Sequence, residues 1–315
     1  MIRLAIVGAG VMGVNHARVL GTMRSAEVVA VVDPNKAKGR SLARSIGVPL
    51  RPLDGLAEIA DAAIVATPSQ THAEIGGQLL AEGLDLLIEK PLATTVADAS
   101  RLVAAARNND RIVMVGHIER FNAAVLGLPD IVSDPVHIEF TRVGPYTPRV
   151  SSDVVLDLMI HDLDLARMLA RSPFVSMSAI GRSVHSRQID LACALLTAES
   201  GLTVSLTASR AGQTKTRQIE VTQHDSFVVA DLLRQDIKIH RLSHNEYLSE
   251  GGSRYRESGV VEIPFLERTG EPLRAELEHF LDAVQRHARP AVDSGDGLEA
   301  LRLALEIGES IEKAW

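Results

Sequence analysis

Apolar and polar positions change their period once along this chain. Residues 2–7 (IRLAIV) form a short β-branched run that ends in glycines, and residues 11 to about 20 read as a helix. A second apolar run, 27–32, ends at Asp33 and completes a strand–helix–strand unit. The pattern then repeats: helix 36–46 precedes strand 62–66, helix 71–82 precedes strand 85–88, and helix 97–108 precedes strand 112–115. Near-continuous apolar strands alternating with helices predict a parallel α/β sheet covered on both faces.

After about Phe121 the strands alternate instead, with Val136, Ile138 and Phe140 set against His137, Glu139 and Thr141. A period of two predicts a half-exposed sheet, so the second part is expected to be α+β, a mixed and largely antiparallel open-faced sheet. Its further strands are read at 176–181, 189–197, 202–209, 217–223, 226–231 and 236–241. One helix, about 154–170, interrupts them, and two more, 271–287 and 297–313, close the chain on either side of Pro290. The domains are drawn at 1–121 and 122–315, with the closing helices packing back.

Composition narrows the function more than the fold. At 315 residues, 46% hydrophobic and 23% charged, the chain has ordinary globular usage and supports two cores. A net charge of −7 with no Lys/Arg-rich run argues against nucleic acid, and only six Phe, three Tyr and one Trp are available for base stacking. Cys193 is the sole cysteine, which excludes an intrachain disulfide and a Cys-rich zinc site. No apolar run reaches the 18 or so residues of a membrane span, and MIRLAIVGAG is too short for a signal h-region, so the cytoplasm is the expected compartment.

Gly8, Gly10 and Gly13 spell G-x-G-x-x-G as GAGVMG, directly after a strand and opening a helix. That setting supplies the tight turn, the close backbone approach and the helix N-terminus that bind a pyrophosphate, and it makes the first domain a Rossmann fold. Asp33 stands at the end of the second strand, where a carboxylate bonds the ribose 2′-hydroxyl of NAD and repels the 2′-phosphate of NADP. NAD is therefore expected over NADP. Lys36, Lys38 and Arg40 either soften that preference or form the exposed face of the next helix.

Glu89-Lys90-Pro91 follows the strand at 85–88, at the carboxyl end where ligands of doubly wound sheets sit. Oxidising a secondary alcohol removes hydride from carbon and a proton from oxygen, so a donor and a base must converge on one hydroxyl. Pro91 restrains Lys90 to extended backbone. Asp157 and His161 stand four apart in a predicted helix and share a face, where they can bond each other or one ligand. The plainer reading makes Asp157, Asp162 and Asp164 a polar helix face and His161 a satisfied histidine. As metal ligands the pair lacks a partner motif such as HExxH, and no metal is expected.

The separated motifs GAGVMG, ATPSQTHAE (66–74), EKP (89–91), GHIERFN (116–122) and DLMIHDLD (157–164) resemble, in order and over essentially the whole chain, the glucose-fructose oxidoreductase and inositol dehydrogenase family, Gfo/Idh/MocA. The resemblance implies an NAD-dependent dehydrogenase acting on a ring hydroxyl. It implies a cofactor site of Gly8, Gly10, Val11, Met12, Gly13, Asp33, Thr67, Pro68, His72, Glu89 and Lys90. Lys90 would approach both nicotinamide and substrate, His161 would accept the proton, and Asp157 would orient it or bond a neighbouring hydroxyl. Met159 stands where the family's D-x-G-x-H pattern has glycine.

Arg120 and Asn122 are candidate substrate contacts, and Arg149 either meets a phosphate or carboxylate of the substrate or is a solvated loop residue. His72 either lines the cofactor groove or neighbours a helix cap. GHIERFN together with VVLDLMIHDLDL is most similar to the branch that oxidises carbon 3 of UDP-N-acetylglucosamine-type sugars. Inositol or free-sugar dehydrogenation, and a catalytically silent NAD-binding regulator, are the alternatives. A homodimer or homotetramer built on the open sheet face is expected.

Overall fold

A computed structural model describes residues 1–147, 152–249, 252–267 and 270–313. The chain divides into two compact units, Met1–Phe121 with Thr269–Leu303, and Asn122–Arg268 with Ala304–Trp315. The segment Thr269–Leu303, drawn with the second domain from the sequence, thus clusters with the first.

The first unit holds β1 (Ile2–Val7), α1 (Val11–Leu20), β2 (Ala26–Val32), α2 (Lys36–Ser45), β3 (Ala62–Val65), α3 (His72–Ala81), β4 (Asp85–Glu89), α4 (Val96–Asn108) and β5 (Val113–Gly116). Its five strands are parallel in the order β2-β1-β3-β4-β5. The order reverses between β1 and β3, so their carboxyl ends flank the crevice where such sheets bind ligands. Leu4, Ile6, Ile64, Leu86, Leu87 and Ile88 are fully buried, which is why these strands read as unbroken apolar runs. Each such side chain contributes roughly 1.5–3 kcal/mol by leaving water.

The second unit holds α5 (Ala123–Ile131), β6 (Pro135–Val143), a π-helical turn (Val155–Met159) continued by α6 (Ile160–Ala170), then β7 (Phe174–Arg182), β8 (Leu191–Ala198), β9 (Thr203–Ser209), β10 (Thr216–Gln223), β11 (Phe227–Asp231), β12 (Asp236–Ser249) and β13 (Gly252–Glu262). The closing helices are α7 (Pro272–Arg286) and α8 (Ser294–Lys313). The sheet runs β13-β12-β11-β10-β6-β9-β8-β7, antiparallel except between β6 and β9. Ile138, Phe140, Leu196, Leu206, Ile219 and Val221 fill one face, while Ile180, Leu195 and Phe227 stand exposed. No helix among the described residues is long and apolar enough to cross a membrane.

Three local features depart from the sequence reading. The helix expected at 154–170 is not uniformly α: the Ile160 amide reaches back to the Val155 carbonyl, five residues earlier, through the π turn that carries Asp157. Helix α5 has no counterpart among the predicted elements, and it forms although Gly127 and Pro129 lie inside it. A Cβ on Gly127 would stand 2.7 Å from Leu266 Cδ2, so that side chain would have to shift to admit one. Strand β12 runs eight residues past Arg241 and pairs with β13, a polar edge hairpin with no apolar alternation to announce it.

Candidate active site

The glycine turn of the first unit divides its labour. Gly8 has φ +107°, and a Cβ there would meet the Ala66 carbonyl oxygen at 2.4 Å. A Cβ on Gly13 would meet the Gly8 oxygen at 1.8 Å. These two glycines therefore let the turn press against the end of β3 and let α1 press against the turn. Gly10 is different: a Cβ there would meet nothing within 4 Å, so its open side faces a groove.

Helix α1 starts at that open side with no side-chain cap, whereas α2 and α4 are capped by Asn35 and Thr95. Its first-turn amides are left for a ligand, and Val11 beside them is a 77% exposed apolar side chain. Asp33 accepts hydrogen bonds from the Ala9 amide through Oδ2 and from the Asn35 amide through Oδ1, both at 2.7 Å. It thereby ties the glycine turn to the end of β2 and keeps lone pairs for ribose hydroxyls. A cavity of about 340 Å³ is lined by Gly8, Gly10, Asp33, Thr67, Pro68 and their neighbours. An uncapped helix N-terminus, an open glycine and a carboxylate at one cavity fit a dinucleotide.

At the end of β4, Lys90 is half-buried and its peptide bond to Pro91 is cis. The Pro91 carbonyl lies 2.9 Å from Nδ1 of His72, whose Nε2 lies 2.9 Å from the Thr67 carbonyl. His72 is 1% exposed; it braces the segments after β3 and β4 from beneath. Glu89, expected at the cofactor, turns inward instead: its Oε1 lies 2.8 Å from Nε2 of fully buried His16 on α1. Glu276 of α7 completes this buried group with both carboxyl oxygens unpaired. Burial, and after it the charge of Glu89, holds the Glu276 carboxyl well above the usual carboxylate range.

Neither His16 nor Glu276 was singled out from the sequence, yet a signal was present. Gly13, His16, Ala17 and Leu20 form the buried stripe of α1, and Leu273, Glu276, Leu277 and Phe280 that of α7. A charged type on an apolar stripe marks a group that the core must neutralise.

In the second unit, Asp153 Oδ1 accepts from the amides of Val155 and Leu156 at 2.8 and 2.9 Å, starting the π turn. Such turns recur at functional sites. Asp157 and His161 are both half-buried, and Met159 is fully buried. Asp157 Oδ2 lies 3.4 Å from an Arg210 guanidinium nitrogen, and Arg210 also donates to the Ser152 carbonyl at 2.7 Å. Asp162, on the same helix, is paired with Arg142 of β6 at 2.6 Å with both side chains 4% exposed. This closed pair fixes α6 on the sheet. A cavity of about 280 Å³ opens beside Asp157.

Not every expected residue is available for substrate. Asn122 is 3% exposed; its Oδ1 caps α5 at the Ala124 amide, and its Nδ2 donates to the Leu232 carbonyl at 2.9 Å. Its assignment to substrate gives way to this structural task. Arg120 is half-buried in the 3-10 turn Ile118–Phe121. Arg149 lies outside the described residues.

Comparison with known proteins adds the family. Residues 2–117 match the oxidoreductase family with an NAD-binding Rossmann fold, and residues 135–225 match the GFO/IDH/MocA C-terminal domain. The chain belongs to the Gfo/Idh/MocA family. It is similar to UDP-N-acetylglucosamine 3-dehydrogenase of Acidithiobacillus ferrooxidans, 27% identical over 98% of this chain and 97% of that one. A solved structure of that enzyme superposes with a TM-score of 0.89, covering 99% and 98% of the two chains at 28% identity. It is also similar to inositol 2-dehydrogenase 1 of Saccharopolyspora erythraea, 28% identical over 96% and 92% of the two chains. A putative myo-inositol dehydrogenase from Sinorhizobium meliloti gives a TM-score of 0.83 at 25% identity, over 100% and 98% of the chains. This Gfo/Idh/MocA chain is thus an NAD-binding oxidoreductase of the class acting on CH–OH groups.

Proposed function

We propose that the protein oxidises a secondary ring hydroxyl of a nucleotide-linked sugar, carbon 3 of a UDP-N-acetylglucosamine-type substrate, with NAD in preference to NADP. The observation that carries the reading is the placement of Asp157 and His161 on one π-to-α segment, with Asp157 lining a cavity. Full-length similarity to a UDP-N-acetylglucosamine 3-dehydrogenase supports it.

In this reading Gly8, Gly10, Gly13 and the first-turn amides of α1 hold the diphosphate of NAD, and Asp33 holds its adenosine ribose. Bound NAD supplies the hydride acceptor. The substrate carbon gives up hydride as its oxygen gives up a proton to His161, so a C=O bond replaces C–H and O–H. Asp157 orients that imidazole or bonds the adjacent hydroxyl, and Arg210 steadies Asp157. Lys90 donates a hydrogen bond to the reacting oxygen.

Several relatives of similar identity are named inositol dehydrogenases, which keeps cyclitol oxidation as the second reading. A panel of UDP-sugars, free sugars and inositols incubated with NAD separates the two by the absorbance of reduced cofactor. Turnover of inositols alone would replace the first reading with the second; bound NAD with no turnover across the panel would favour a silent regulator. Association of copies through the sheet face bearing Ile180 and Leu195 is part of the proposal, with sedimentation as its test.

A further inference from the structure

The cavity beside Asp157 has an unusual charge for this chain. The protein carries a net charge of −7, yet the lining includes Arg142, Arg210, Lys215 and Arg217 against the single carboxylate of Asp157. Sheet geometry explains how the four come together. Thr216, Val143 and Ser209 are in register across β10, β6 and β9, so Lys215 just before β10 and Arg210 just after β9 stand at the same sheet end.

Arg217 is directly opposite Arg142 in the β10–β6 ladder. Like charges in that relationship are destabilising. Asp162 answers the charge of Arg142, whose Nε and terminal nitrogen both bond its carboxylate. Lys215 is exposed and makes no ion pair among the described residues. The ring of a neutral polyol offers this cluster hydroxyl groups only. A phosphoryl group offers several anionic oxygens to guanidinium forks and an ammonium at once.

We propose that this cavity is a phosphate-recognition subsite that takes the diphosphate of a nucleotide-linked sugar, with Lys215 and Arg217 as the cations that bind it. Arg210 forms the boundary with the reacting ring, because it holds Asp157. The inference rests on the dehydrogenase reading only for the place of the ring; anion binding itself is independent of turnover. It also gives a reason for choosing between the two substrate classes that the relatives display: discrimination comes from charge beside Asp157.

The test measures UDP binding to the NAD-loaded full chain by calorimetry, alongside steady-state kinetics with UDP-N-acetylglucosamine. Lys215→Ala and Arg217→Gln should each weaken UDP about tenfold or more, the loss of a charge-assisted bond, and should raise KM more than they lower kcat. Lys238→Ala, an exposed cation on β12 outside the cavity, should change neither. Arg217→Lys separates fold from binding, since it keeps the charge and should recover part of the UDP affinity. Undiminished UDP affinity in Lys215→Ala and Arg217→Gln would overturn the subsite, even if UDP-sugars are oxidised. UDP binding lost in those variants, in a protein that turns over inositols only, would support the subsite and overturn the substrate reading. Equal inhibition by a hexuronate and by UDP would show a general anion site and overturn the diphosphate assignment.

Discussion

His16 Nε2 lies 2.8 Å from Glu89 Oε1, with the imidazole fully buried, and this contact joins the helix that opens the dinucleotide site to the residue preceding Lys90. One residue of the motif E-K-P thus faces the core while the next stands at the strand end. Removing the histidine leaves a buried carboxylate without its partner. His16→Ala should lower stability by about 3 kcal/mol or more in urea unfolding, a cost typical of one orphaned member of a buried pair.

Glu276 brings a second carboxyl to the same place, and its proton affinity is raised by burial and then by Glu89. Its folded form holds a proton that the unfolded chain releases near pH 4.5. Between that pH and the raised value the folded state binds more protons, so this group's contribution to stability declines as pH rises. Glu276→Gln, with no proton to lose, should flatten that decline and exceed the parent in stability at alkaline pH. Parallel pH profiles of unfolding for the two proteins would remove the assignment.

Asp190 shows the opposite sign. Burial alone would raise its pKa, but the amides of Val184, His185 and Ser186 and the Ser186 hydroxyl all donate to it and bring it down to about 2. Its stabilisation is complete above the ordinary value of 3.8 and is lost as pH falls through about 2. Asp190→Ala should cost roughly 2 kcal/mol near neutrality, and the gap to the parent should close in acid.

Asp33 has both a ligand task and a structural one, since it accepts from Ala9 and Asn35. Asp33→Ala should weaken NAD about tenfold or more and narrow the preference over NADP, read by titration of each cofactor. A tenfold better activity of the parent with NADP would contradict the NAD assignment.

The parallel half of the fold was legible because IRLAIV, GAGVMG and the strand ending at Asp33 each carry their own physical signature: buried strands, a turn needing φ above zero, and a carboxylate at a fixed remove. The π turn was not legible. Asp157 and His161 keep their shared face whether the backbone bonds reach back four residues or five, so the apolar pattern around them is the same. Helix α5 was hidden by Gly127 and Pro129, whose local preferences packing overrides. Asn122 looked like a ligand contact because an exposed amide and a helix cap share one residue type; only its bonds to Ala124 and Leu232 distinguish them. His16 and Glu276 do carry a signal in the sequence, as both interrupt apolar stripes.

The most direct test of the account is the reduction of NAD by the purified protein with UDP-N-acetylglucosamine, measured for the parent, Lys90→Ala and His161→Ala with NAD affinity determined alongside. Turnover by the parent is expected, with a fall in kcat of about 10² to 10⁴ in each variant and nearly unchanged NAD binding. Variants that turn over as fast as the parent, or a parent that reduces NAD with no sugar or cyclitol, would contradict it.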